Sequence, residues 1–229
     1  MSDLYIVATP IGNLEDITLR ALNTLKEVNF IAAEDTRHTK RLLDKYDIKT
    51  PSISYHSHSG DAKINLVIER IKKGESAALV SDAGTPCVSD PGFKLVKMAA
   101  QAGIKIIPIP GVSAITTLVS ASGFPTDTFT FHGFLPHKKG RQTLIKSFKE
   151  TEHCQIVYES VHRFPKLLKE LTEFVGADRS ICVGRELTKM HEEIWRGTVI
   201  EALEHFNESN TKGEFVVIVA PEKFCYTKA

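Results

Sequence analysis

The segment Leu79-Val80-Ser81-Asp82-Ala83-Gly84-Thr85-Pro86-Cys87-Val88-Ser89-Asp90-Pro91-Gly92 limits the possible folds of this chain more than any other. The apolar run Ala77–Val80 before it predicts a buried strand, and a helical pattern begins at Phe93. Between them lies a loop of Gly, Pro, Asp, Ser and Thr. An ordinary strand-to-helix turn with Asp90 as its cap is one reading, but such a turn needs fewer constrained residues. Open α/β sheets bind ligands at the carboxyl ends of their strands. Glycine lets backbone approach a ligand closely, and proline stiffens a loop beforehand.

The rest of the chain supports such a sheet. Short apolar runs at Leu4–Ala8, Phe30–Ala33, Ser52–Tyr55, Ala77–Val80 and Ile104–Ile107 predict strands. Helical periodicity runs through Thr18–Glu27, His38–Tyr46, Ala62–Lys72, Phe93–Ala102 and the small, apolar Val112–Ala121. The break Ser122-Gly123-Phe124-Pro125-Thr126-Asp127 predicts a boundary between domains 1–121 and 122–229. Beyond it, Phe129–Phe131, Gln155–Tyr158, Ser180–Val183, Glu193–Val199 and Phe215–Val219 predict strands, and Arg141–Phe148 and Phe164–Phe174 helices. Alternation of this kind predicts α/β layers in both halves, and 229 residues suffice for them.

Composition excludes several classes. No apolar run approaches the roughly 18 residues of a membrane span, and the first residues lack the basic flank of a signal peptide. A cytoplasmic protein without membrane partners is expected. Cys87, Cys154, Cys182 and Cys225 are widely spaced with no CxxC pair, which disfavours a zinc site or disulfide framework; no metal is expected. A formal net charge of +1 gives no global attraction to nucleic acid but leaves room for local basic patches. The chain lacks GxGxxG after its first strand, GxxxxGK[ST], HExxH and GxSxG, which disfavours the usual dinucleotide, phosphate-loop and nucleophile-elbow sites.

What remains is a set of loops after strands: Ala8–Asn13, Ala33–Arg37, Asp82–Gly92 and Pro110–Ala114. In a parallel sheet these ends share one edge, so the loops should converge. There Asp82 would bind a hydroxyl or ammonium group, and Gly84 would admit a flat ring or a sulfur-bearing tail. The second half adds Tyr158-Glu159-Ser160-Val161-His162-Arg163, Gly184-Arg185-Glu186-Leu187-Thr188-Lys189 and Lys212-Gly213-Glu214-Phe215. Ion pairing and capping among Glu159, Arg163, Arg185 and Glu186 compete with a functional reading. His56 and His58 flank a Ser-Gly turn and are either solvated or catalytic. Two basic stretches, Arg37-His38-Thr39-Lys40-Arg41 and His137-Lys138-Lys139-Gly140-Arg141, are either solvated surface or phosphate donors.

Taken together, these segments closely resemble the tetrapyrrole methylase superfamily. Within it they are similar to the enzymes that methylate the 2'-hydroxyl of a cytidine in 16S rRNA of the small ribosomal subunit. The carriers are Ala8–Thr18, Ala33–Arg37, Val80–Pro86 with Ser89–Gly92, Pro108–Gly111 with Ser113 and Ala114, Tyr158–Ser160 with His162 and Arg163, Gly184–Lys189, and Gly213–Val216. The resemblance spans nearly the whole chain in order. It implies two α/β domains of the tetrapyrrole methylase type with the cofactor cleft between them, not a Rossmann-type methyltransferase. It also implies S-adenosyl-L-methionine as cofactor and a homodimer. By motif, Pro10, Asp82, Gly84, Thr85, Ser113 and Ala114 would line the cofactor from the first domain, and Tyr158, Glu186, Leu187 and Glu214 from the second. The 2'-hydroxyl would be oriented or deprotonated by Glu34, Asp35, Glu159 or His56. The rRNA, in the assembled 30S subunit, would be docked by Arg37, Lys40, Arg41, Lys138, Lys139 and Arg141. A small-molecule tetrapyrrole methyltransferase shares the fold and is the alternative; a non-catalytic cofactor-binding module is a third reading.

Overall fold

Successive side chains of a strand point to opposite faces, so an unbroken run of buried apolar residues needs cover on both. The computed structural model describes residues 2–56, 59–206 and 213–227; His58 and Lys212 lie outside them. It comprises two units, Met1–Ser113 and Ala114–Ala229.

The first unit runs β1 (Leu4–Val7), α1 (Leu19–Glu27), β2 (Phe30–Ala33), α2 (Thr36–Lys45), β3 (Ser52–Ser54), α3 (Asp61–Lys72), β4 (Ala77–Val80), α4 (Phe93–Gln101) and β5 (Ile106–Ile109). Its five strands form a parallel sheet in the order β3-β2-β4-β1-β5. Every residue of β2 and β4 is buried. Phe30, Ala32, Ala77 and Leu79 pack with Ile64, Val67 and Ile71 of α3 and Leu95 and Ala99 of α4. Ile31, Ala33, Ala78 and Val80 pack with Ala21 and Leu25 of α1 and Leu42 and Leu43 of α2 on the other face. Both faces are thus covered, as a parallel sheet requires. Thr18 caps α1 by accepting from the Ala21 amide, and Asp35 caps α2 by accepting from that of Arg37. β5 lies two residues beyond the expected Ile104–Ile107 and contains Pro108, opposite Ile6. An edge strand tolerates a proline because one side of its ladder is unused.

The second unit runs α5 (Ala114–Ser122), β6 (Phe129–Phe134), α6 (Arg141–Ser147), β7 (Cys154–Ser160), α7 (Phe164–Phe174), β8 (Ser180–Arg185), β9 (Glu193–Thr198), α8 (Val199–His205) and β10 (Glu214–Val219). The sheet order is β6-β7-β10-β8-β9, with only the β6–β7 pair parallel. Val157, Val183, Phe215, Val217 and Val219 face Ile145 of α6, Phe164, Leu167 and Leu171 of α7, and Ala202 of α8. Phe164 stacks on Phe215 with ring centroids 4.0 Å apart. α5 packs against β8, β9 and β10, and Arg196 of β9 donates to the Ala121 and Ser122 carbonyls at its end. It therefore belongs with the second sheet, so the units divide at Ser113, eight residues before the expected boundary at 121. α8 was not expected from periodicity. Its signal is a capping box, in which Thr198 and Glu201 each accept from the other's backbone amide.

Among the described residues no helix is long and apolar enough to cross a membrane.

Candidate functional site at the strand ends of the first sheet

The parallel register brings the loops after β1, β2, β4 and β5 to one edge, and hydrogen bonds lock them together. Thr9 and Gly84 form a two-residue bridge, each amide donating to the other's carbonyl at 2.9 Å. The Thr9 hydroxyl donates to the Ser81 carbonyl at 3.1 Å, and that of Thr85 to the Val112 carbonyl at 3.1 Å. A Cβ on Gly111 would lie 2.9 Å from that of Ala8, so the β1 and β5 loops meet at a contact only glycine permits. Pro10 is buried and Ser113, the last residue of the first unit, is half-buried; Ala114 opens α5, in the second unit.

The β4 loop is held in unusual backbone. Cys87 and Ser89 have positive φ values of 72° and 65° without being glycine. Gly92, at φ 143°, would bring a Cβ to 2.5 Å from Cys87 Sγ. Such conformations cost about 1–3 kcal/mol each and gather at functional sites. Gly92, not Asp90, is the N-cap of α4.

Asp90 is thereby freed for a carboxylate group that sequence reasoning did not assemble. The Asp35 amide donates to Asp82 Oδ1 at 3.0 Å, and the Asp82 amide to Glu34 Oε2 at 3.4 Å. Burial first, then the charges of Glu34 and Asp82, push the Asp90 carboxyl up from 3.8 to about 6, against a hydrogen bond from Ser81. Burial also raises Glu34; Asp82 adds repulsion, while the Asp82 amide and the nearby His56 partly offset it. Asp35 differs. Arg37 binds it through Nε at 3.2 Å and Nη2 at 2.9 Å and holds its carboxyl down at about 2. It is the cap of α2 and a poor proton acceptor. His56 is exposed. Among the described residues no His, Cys, Asp and Glu group is arranged to hold a metal ion.

In the second unit, two expected functional residues are structural. Glu159 was expected at the chemistry and Arg141 at RNA phosphate, but their side chains are only 0% and 2% exposed. Arg141 donates through Nη1 to Glu159 at 2.9 Å and through Nε to Glu170 of α7 at 2.7 Å. Glu159 accepts further from Arg163, at 2.8 Å, and from the Ser160 amide, at 2.9 Å. A buried, internally paired ion cluster of this kind can neither take a proton from a substrate nor reach a phosphate. Glu186 and Glu214 both bind Lys189, at 2.9 and 3.0 Å, and the Glu214 amide donates to Glu186 at 3.0 Å. Burial opposes ionisation of Glu186, but Lys189 and that amide outweigh it and lower its carboxyl. Leu187 is buried against Gly184, and Tyr158 is half-buried between Phe131 and Phe134.

The other basic residues are exposed. Arg37 is engaged with Asp35, and Lys40 with Asp44 at 2.9 Å, both at the surface; Arg41, Lys138 and Lys139 also face solvent.

The model of the Tetrapyrrole (Corrin/Porphyrin) Methylases matches residues 3–203. A uroporphyrin-III C-methyl transferase from Thermus thermophilus, complexed with S-adenyl homocysteine, superposes with a TM-score of 0.67 at 18% identity, covering 96% of this chain and 97% of that one. Nearer in sequence are chains named ribosomal RNA small subunit methyltransferase I. One from Synechocystis sp. is 48% identical and covers 96% of this chain and 79% of its own. Another, from Thermotoga maritima, is 46% identical and covers 96% and 99%. The chain belongs to the tetrapyrrole methylases and, among them, to the family of ribosomal RNA small subunit methyltransferase I.

Proposed function

We propose that this chain transfers a methyl group from S-adenosyl-L-methionine to the 2'-hydroxyl of a cytidine in 16S rRNA, and that it does so in the cytoplasm on the assembled 30S subunit. The observation that carries the reading is the near-full-length similarity, 46–48% identity, to chains named for methylation of small-subunit rRNA. The same similarity favours RNA over a small tetrapyrrole, since the tetrapyrrole-acting neighbour shares only 18%.

The strand-end loops suit this cofactor chemically. S-adenosylmethionine brings an ammonium, a sulfonium and two ribose hydroxyls, all served by carboxylate acceptors. Glu34, Asp82 and Asp90 supply carboxylates close together, beside the Gly84 and Gly111 junction. When bound, the cofactor supplies an electrophilic methyl group on its sulfonium. Asp82, Thr85, Gly84, Pro10 and Ser113 are proposed to hold it in the first unit. Ala114, Tyr158, Glu186, Leu187 and Glu214 are proposed contacts in the second, on the family resemblance. Transfer to the 2'-oxygen would form the C–O bond as the methyl–sulfur bond breaks, and the 2'-hydroxyl proton would have to leave. Glu34 is the proposed acceptor or orienter, because partial burial makes it a stronger base than a solvated carboxylate. His56 is the proposed second candidate. Arg37, Lys40, Arg41, Lys138 and Lys139 are proposed phosphate contacts, and the working form is proposed to be a homodimer.

Deleting the gene and mapping 2'-O-methylation in 16S rRNA tests the reading. Loss of one 2'-O-methylcytidine, restored by the wild-type gene, is expected. An unchanged rRNA methylation map would overturn it.

A further inference from the structure

β6 carries an irregularity that places three aromatic rings together on one end of the second sheet. Phe131 lies opposite Ile156, but Phe134 lies opposite Tyr158, so β6 spends one residue more than β7 over the same span. The extra residue falls at Gly133, whose φ is +63°. In a regular strand, residues three apart point to opposite faces. The bulge cancels that alternation and turns Phe134 to the face of Phe131, around Tyr158. Ring centroids are 4.9 Å apart for Phe131–Tyr158 and 5.5 Å for Phe134–Tyr158, both edge-on. The next residue, Leu135, is 1% exposed and enters the core. Phe134 does the reverse: it is 54% exposed.

Two further observations indicate what covers it. The segment that follows, Pro136–Gly140, is exposed throughout and carries His137, Lys138 and Lys139. The ion cluster fixes both ends of that segment. Arg163 donates to the Leu135 carbonyl at 2.9 Å, and buried Arg141 closes the other end, its amide donating to the Lys138 carbonyl at 3.3 Å. An exposed aromatic ring on a rigid strand, beside lysines on a short anchored loop, is the arrangement single-stranded RNA uses: bases stack on the ring while cations follow the phosphates. A protein partner or second copy covering Phe134 would have to desolvate both lysines as well, whereas RNA supplies their counter-charge.

We propose that Phe134, braced by Tyr158 and Phe131, is a stacking platform for an unpaired base of the RNA substrate, with Lys138 and Lys139 meeting the phosphates beside it. This rests on the rRNA reading above and adds the nucleotide-recognition element that the reading lacks. The arginine cluster is its positioning framework, which accounts for a buried charged group at the root of a surface loop.

The test compares wild type, F134L and F134Y for binding to 30S particles from the deletion strain, at several salt concentrations. Leucine keeps the apolar bulk without a π face; tyrosine keeps the face. F134L should weaken binding about tenfold or more and F134Y should stay within about twofold of wild type, stacking being worth that much per base. The salt dependence should not change in either, since no phosphate contact is lost. S-adenosylmethionine affinity by calorimetry and mass by light scattering should be unaltered in F134L. Wild-type 30S affinity in F134L overturns the platform. So does a loss confined to cofactor affinity or self-association, which would assign the ring to the cofactor or to a second copy. If wild type methylates 16S rRNA while F134L binds like wild type, the platform alone falls. If wild type neither binds nor methylates 30S particles, the rRNA reading falls and the platform with it.

Discussion

Glu34, Asp82 and Asp90 in the first unit and Glu159 and Glu170 in the second are all drawn partly or wholly out of water, but among the described residues only the second group is paired with buried or half-buried arginines. Arg141 and Arg163 saturate Glu159, and Arg141 binds Glu170 as well. Around Asp90 the charges that act are those of other carboxylates, Glu34 and Asp82. Charges paired internally make a framework. Carboxylates left facing one another store repulsion that a cationic ligand relieves on binding. The strained Cys87 and Ser89 backbone lies beside the second kind of group. Residue types common to both thus serve opposite ends, and the decisive difference is what long-range folding sets beside them.

The largest expected effect tests the framework. E159Q leaves Arg141 and Arg163 without their central counter-charge and should cost about 3–5 kcal/mol in urea denaturation. The counterpart in the first unit, E34Q, should cost about 1 kcal/mol or less, because it relieves repulsion from Asp82 and Asp90 and its cationic neighbour, His56, is exposed to water. Equal losses in the two variants would erase the distinction. Next comes backbone strain. G92A places a Cβ at 2.5 Å from Cys87 Sγ in a conformation that L residues avoid. It should lower stability by about 1–3 kcal/mol and weaken S-adenosylmethionine binding. A variant of wild-type stability and affinity would show that the loop's shape is incidental.

A smaller effect follows from Asp90. Its carboxyl rises from 3.8 unfolded to about 6 folded. Its contribution to stability is therefore fully present below the unfolded value and lost as pH rises through about 6. D90N should flatten stability over that window and stabilise the protein near neutral pH by about 1 kcal/mol, after discounting for partial exposure. Denaturation at a series of pH values reads this, and a wild-type pH profile in D90N would contradict it. The smallest effect concerns the lysines. K138A and K139A should each reduce the slope of log affinity for 30S particles against log salt by about 0.7–0.9. An unchanged slope in both would remove them from the RNA contact.

Most of the scaffold was legible in the sequence because burial on both faces and helical periodicity are local patterns. Ala77–Val80 and Phe164–Phe174 occur as read. So does the gathering of the four strand-end loops, which follows from parallel register alone. What escaped depends on distant partners. Lys138, Lys139 and Arg141 form one basic stretch in the sequence, yet Arg141 turns inward to carboxylates 18 and 29 residues away. Asp90 had no reading beyond a possible helix cap because its neighbour across the sheet, Glu34 of the β2 loop, is 56 positions earlier. The Phe134 platform depends on a one-residue slip of register, invisible without β7 beside it. α8 could have been found, since Thr198-Val199-Ile200-Glu201 spells its capping box.

The account's central claim is that the unneutralised carboxylates at the first sheet's edge form the cofactor site. Calorimetric titration of S-adenosyl-L-methionine into wild type and D82A tests it most directly, with thermal melting as the check on folding. The account predicts one cofactor bound per wild-type chain and an affinity at least about tenfold weaker in folded D82A, the loss expected for a charge-assisted contact. Undiminished affinity in folded D82A would contradict it.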